Sequence, residues 1–242
     1  MAELKFSTNE ALRFGWETMK NNFVFFVILF LIMFFISAIP SALNAMMENL
    51  TREKTAASYM AAFFIFIISL GFQAVQMIMQ IGLLKISLKF CDRQTPDYSE
   101  LYKIYRLFWR YLGASLLVGL VVLGGFILFI VPGIIWAIKY SQVNYLIVDR
   151  NYEVMAAFKK SGEMTAGSKW QLFVFFLVLG LVNFLGLLCL GVGLFATIPT
   201  SAVAMAFVYR QLFHHAQASP IPAVAAGSRP TPIMPGPGGI QI

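Results

Sequence analysis

The sequence predicts an all-α, polytopic membrane protein with six transmembrane helices in three hairpins, each hairpin preceded by a cytoplasmic amphipathic helix lying at the interface. Three observations predict it. The chain is 59% hydrophobic and only 12% charged, far from the balance of a soluble domain. Long apolar segments alternate with short polar ones. The basic residues gather on every second connection.

A helix needs about 20 predominantly apolar residues to cross about 30 Å of hydrocarbon. Six segments approach this: Phe23 to Ala45, Ala57 to Leu84, Tyr111 to Val131, Gly133 to Val148, Trp170 to Leu190 and Leu194 to Phe213. The third and fourth are parted by Val131-Pro132-Gly133 and the fifth and sixth by Gly191-Val192-Gly193, the residues of tight turns. The first span is read as retained. Its leader balances Lys5, Arg13 and Lys20 with Glu3, Glu10 and Glu17, unlike the basic leader of a secretory signal.

Orientation follows from the lysines and arginines. With the N-terminus inside, 15 of the 18 basic residues fall on the cytoplasmic side. Arg52 and Lys54 lie in the first hairpin loop, and Lys139 lies within the fourth span. Both termini are therefore expected in the cytoplasm. The net charge of +7 is spread between apolar runs, which points to lipid head groups and away from nucleic acid.

Three polar stretches precede the odd-numbered spans. Ser7 to Glu10 has capping-box spacing, and Asp97 to Glu100 repeats it with an aspartate cap. Leu101, Ile104, Tyr105 and Phe108 share a helical face opposite Lys103, Arg106 and Arg110. Val154, Ala157, Phe158, Ser161 and Met164 likewise oppose Lys159, Lys160 and Glu163. The pattern predicts apolar faces on lipid and basic faces toward phosphates. Lys103, Arg106, Arg110, Lys159 and Lys160 are thus the candidate anionic-lipid contacts, each worth about 1 kcal/mol near a charged surface; a solvated face that enforces topology is the alternative. An interfacial helix followed by a hairpin occurs three times, giving candidate repeats over 7–89, 97–150 and 152–213 within a single membrane domain, 1–213.

From 214 to 242 the chain is rich in proline and glycine, holding six of the ten prolines, and is expected to form a disordered cytoplasmic tail. His214 and His215 at the join read as a polar helix end. Cys91 and Cys189 are expected to stay unpaired, having no metal-type or disulfide-framework spacing.

Polar groups inside the bilayer are the candidate functional residues. Lys139 stands within the fourth span near Asn144, and either lines a polar cavity or extends its long side chain to the outer interface. Gln73, Gln76 and Gln80 share one face of the second span. They either line a solute path or bond to neighbouring helices, each bond worth about 0.6 to 2 kcal/mol. Asn183, Thr197 and Thr200 suit an interior network. Ser115 with Gly119, and Ala196 with Thr200 and Ala204, have the four-residue spacing of close helix packing. Pro199 reads as a kink. The sequence contains no zinc-protease, nucleophile-elbow or phosphate-loop motif and no cysteine-histidine cluster, so no cofactor and no enzymatic activity are expected.

Several stretches carry a resemblance. They are Ile130-Val131-Pro132-Gly133-Ile134-Ile135-Trp136, Tyr152-Glu153, Ala156-Ala157-Phe158-Lys159-Lys160-Ser161, Trp170, the glycine-rich Gly186 to Gly193, and the opening Glu10-Ala11-Leu12 with Gly15-Trp16. Together they resemble the broad family of bacterial six-helix membrane proteins related to the membrane domain of some glycerophosphodiester phosphodiesterases. The resemblance extends to about residue 213. It implies a fold and a location in the bacterial inner membrane; no segment resembles the soluble catalytic barrel or its acidic metal ligands, so hydrolase activity is not implied. The resulting expectation is a non-catalytic scaffold, lipid-associated module or subunit of a membrane assembly, with lipids and another membrane protein as partners. A small-solute transporter or channel is the alternative.

Overall fold

The computed structural model describes residues 5–52, 54–92, 104–189, 191 and 193–218, with backbone alone over 104–106. Among these residues the protein is all-helical, with nine α-helices and no strand. Four of them are long and apolar enough to cross a membrane: α2 (Phe23–Thr51), α3 (Ala56–Cys91), α4 (Ile104–Leu128) and α8 (Lys169–Leu188).

α1 (Thr8–Asn21) starts as its sequence requires, with the Ser7 hydroxyl accepting from the Glu10 amide at 3.4 Å. Its apolar stripe, Ala11, Gly15 and Met19, is buried. The expectation that this face rests on lipid is corrected by the structure: it packs along α9 (Leu194–Ala218). Gly15 makes this possible, because a Cβ there would collide with the Thr200 carbonyl and lie 3.2 Å from the Ala204 amide nitrogen. Phe14 stacks on Phe207 beside it, with ring centroids 5.0 Å apart. The opposite face is polar, with Arg13 donating to Glu17 at 2.8 Å.

α2 and α3 form one long hairpin. Thr55 and Ser58 form a reciprocal capping box at the start of α3. Pro40 is accommodated within α2, which continues unbroken to Thr51.

The second hairpin turns at Phe129, which is extended (φ −165°, ψ 157°), and α5 (Ile130–Tyr140) follows. Pro132 sits in the first turn of α5, where a missing amide hydrogen leaves no bond unmade. Gly125 and Gly133 let the arms touch: a Cβ on Gly125 would lie 2.8 Å from the Gly133 Cα. The expected fourth span, Gly133 to Val148, is broken in two at Ser141 and Gln142, and α6 (Val143–Arg150) follows. Side chains take over the carbonyls at the break. Ser141 donates its hydroxyl to the Ile138 carbonyl at 2.8 Å, and Ser161 and Thr165 donate to the Lys139 carbonyl at 2.7 and 3.3 Å. α6 buries Val143, Tyr145, Leu146, Ile147 and Val148, and it ends at Asn151, whose left-handed conformation (φ 59°) stops the helix.

α7 (Val154–Thr165) buries Ala157, Ser161, Met164 and Thr165 against α5, α6 and α9. The apolar face predicted to rest on lipid is again turned to protein. α8 and α9 close the third hairpin through Gly191 (φ 77°). α9 runs on to Ala218, so residues 214–218 are helical where tail was expected; the remainder of the predicted tail lies outside the described residues. Cys91 and Cys189 are both free thiols.

Candidate functional site

The intramembrane polar residues predicted from sequence fall in three separate places. Gln76 and Gln80 line a groove of about 120 Å³ between α2 and α3, together with Met33, Ile36, Ser37 and Met79. Gln73 and Gln80 are exposed and Gln76 half-buried. Among the described residues, none of the three has a hydrogen-bond partner; Gln76 and Gln80 edge the open groove between the two arms, and Gln73 and Gln80 are exposed.

Lys139 stands at the end of α5 beside α7. Its ammonium lies 5.1 Å from the centre of the Tyr140 ring, and its side chain crosses Gly162. α5 ends after 11 residues, and Lys139 lies against α7, the helix that bears Lys159, Lys160 and Glu163. Asn144 pairs with Ser115 at 3.5 Å. Both line an open cleft of about 450 Å³ with Val118, Gly119, Val122, Leu123 and Phe126 along α4.

Of the predicted lipid contacts, Lys103 and the Arg106 side chain lie outside the described residues. Arg110 donates to the Asn151 carbonyl at 3.0 Å, clamping the turn after α6 to α4. Lys160 pairs with Glu163 at 3.3 Å, while Lys159 is exposed. The predicted interior network of Asn183, Thr197 and Thr200 does not form: Asn183 donates to the Ser201 hydroxyl at 3.0 Å, Thr200 donates to the Ala196 carbonyl of its own helix at 2.7 Å, and the buried Thr197 hydroxyl has no partner among the described residues.

The strongest polar cluster escaped the sequence reading. Arg210 of α9 forms a two-pronged bond to Asp149 of α6, with distances of 2.6 and 2.9 Å, and also donates to Asp92 at the end of α3. Tyr209 donates its hydroxyl to Asp149 at 2.9 Å and stacks on Tyr145, with centroids 5.3 Å apart. Arg150 reaches Asp149 at 3.0 Å and covers the Phe213 ring. The side chains of Arg210 and Asp149 are 13% and 12% exposed, so the pair is largely withdrawn from water. Planar guanidinium and carboxylate groups suit this arrangement. Chemically it is a pin that joins α3, α6 and α9 at one level, with the Arg210 Nε buried and without a partner among the described residues.

No family model, curated protein or solved structure matches this chain.

Proposed function

We propose that this chain is a non-catalytic subunit or scaffold of an assembly in a bacterial inner membrane, with both termini in the cytoplasm and the α2–α3 hairpin as its docking arm. The observation that carries the reading is the row Gln73, Gln76 and Gln80. An amide moved into hydrocarbon without a partner costs about 4 to 8 kcal/mol, and these three stand on an apolar helix of 36 residues with no hydrogen-bond partner among the described residues. A polar face on a second membrane protein removes that cost.

The orientation is supported by the basic residues, which gather at the end of the molecule that holds the charge pin, α1 and α7. There Lys159 and Arg110 are proposed to meet anionic head groups. The likeness to the membrane domain of the phosphodiesterase-related family is proposed as one of fold alone.

The test is purification from native membranes in mild detergent. The parent chain is expected to retain one other membrane protein in fixed ratio, and the triple variant Gln73→Leu, Gln76→Leu, Gln80→Leu is expected to insert, fold and lose it. Retention by the triple variant, or a parent chain that purifies alone, defeats the reading.

One observation favours a transporter instead. The break between α5 and α6 holds Gln142 fully buried, with its side-chain oxygen lacking a partner among the described residues, and broken helices with orphan polar atoms occur at transport sites. Solute uptake into vesicles that is abolished by Gln142→Leu would select it.

A further inference from the structure

Two of the three hairpins have no polar residue at their tips, and their depth can be read from the elements that hold them. α5 is 11 residues long, so its two ends are about 15 Å apart at a rise of about 1.5 Å per residue. Its inner end is fixed beside α7, because Ser161 and Thr165 of α7 bond to the Lys139 carbonyl. That helix carries the Lys160–Glu163 ion pair and exposed Lys159, so it lies at the aqueous boundary. The turn at Phe129 therefore reaches about halfway through a hydrocarbon layer of about 30 Å.

The third hairpin gives the same answer by a separate route. Phe195, next to its tip, packs on Phe30 with ring centroids 4.4 Å apart. Phe30 is seven residues beyond Phe23, where α2 begins after the charged α1, or about 10 Å into the layer. From Phe30, α2 continues to Thr51, which adds about 30 Å. The α2–α3 loop, with Arg52 and Lys54, is the one hairpin end that carries charge.

We infer that α4–α5 and α8–α9 are re-entrant hairpins, inserted from the cytoplasmic side with tips that contact lipid acyl chains near the bilayer midplane, and that α2–α3 alone crosses to the far side. The tip surfaces suit that partner. Ile127 and Phe129 are each 76% exposed, and Leu128, Ile130 and Val131 are all more than half exposed, an unbroken apolar patch. Part of their backbone is satisfied within the chain. The Phe129 amide donates to the Gly125 carbonyl at 3.0 Å and the Gly133 amide to the Phe129 carbonyl at 3.3 Å. At the third hairpin, the Gly191 amide donates to the Leu187 carbonyl at 2.9 Å and the Leu194 amide to the Gly191 carbonyl at 3.1 Å. Irregular backbone exposed to hydrocarbon is costly, and at the second hairpin it is confined to Phe129, both of whose backbone groups are bonded. The six apolar segments thus become two crossings and two half-depth loops, and the 15 basic residues stay on the same side as in a six-span layout.

The inference rests on the orientation proposed above, and labelling separates the two. In the full chain with Cys91→Ser, an impermeant maleimide is applied to intact cells and to inverted vesicles, reading Cys189 as it stands and, in the Cys189→Ser background, Asn49→Cys and Phe129→Cys. Asn49→Cys is expected to label from outside, while Cys189 and Phe129→Cys label at least tenfold more slowly from either side and readily after denaturation in detergent. Outside labelling of the two tips at the rate of Asn49→Cys overturns the re-entrant geometry and leaves the orientation intact. Labelling of Asn49→Cys from the inside overturns the orientation itself.

Discussion

The end of the molecule that holds the charge pin and the far two-thirds of the α2–α3 hairpin treat their apolar side chains in opposite ways. At the pin end, Leu146, Leu172, Val203, Tyr209 and Leu212 are completely buried against other helices of the same chain. On the hairpin, Phe34, Phe35, Phe63, Phe64, Ile67 and Leu70 are all at least half exposed. The difference teaches where protein is the solvent and where something else must be. Small residues and charges organise the first region: Gly15 admits α9, and Arg210 draws three helices to one point. The second region has no such charge cluster among the described residues. Its helices touch each other, α3 burying the small residues Ser58, Ala62 and Ser69, and they leave their outer faces and the glutamine groove to lipid or to a partner.

Breaking the pin end should have the largest effect. Arg210→Ala leaves Asp149 withdrawn from water without its main counter-charge, a loss of about 3 to 5 kcal/mol in folded stability. Thermal unfolding in detergent should show a large fall in midpoint, and an unchanged midpoint would mean that the pin holds nothing. A glycine comparison sharpens the contrast with smaller effects. Gly15→Ala drives a methyl group into the Thr200 backbone and should cost about 1 to 3 kcal/mol. Gly71→Ala on α3 meets nothing within 4 Å and should leave stability unchanged or raise it by up to about 1 kcal/mol through helix propensity. A Gly71→Ala chain that folds normally yet loses its co-purifying protein would place the partner directly against that face.

Much of this architecture was legible in the sequence. The apolar segments, the hairpin glycines and the cap at Ser7 follow local rules, and the structure obeys them. The packing stripe Thr200 with Ala204 was readable as well, since small residues at four-residue spacing mark close approach whatever the partner. Its partner was not. Amphipathic α1 and α7 have the same pattern whether the apolar face meets lipid or α9, and periodicity cannot tell these surfaces apart. Arg210, Asp149 and Asp92 are separated by 61 and 118 residues, a distance over which one sequence carries no pairing signal. The break at Ser141 was hidden for a related reason: a serine is unremarkable in an apolar helix until Ser161 and Thr165, from another element, relieve the carbonyl it exposes.

The central claim is that the glutamine face of α3 is covered by another protein while the neighbouring face is covered by its own chain. Photo-crosslinking in intact membranes tests it most directly, with a diazirine side chain placed at Gln80 and, separately, at Ile81, which is fully buried. At Gln80 a discrete adduct with a second polypeptide is expected, and at Ile81 only crosslinks within the chain. Lipid adducts alone at Gln80, with no protein adduct, would contradict the account and leave the hairpin as a membrane anchor without a docking role.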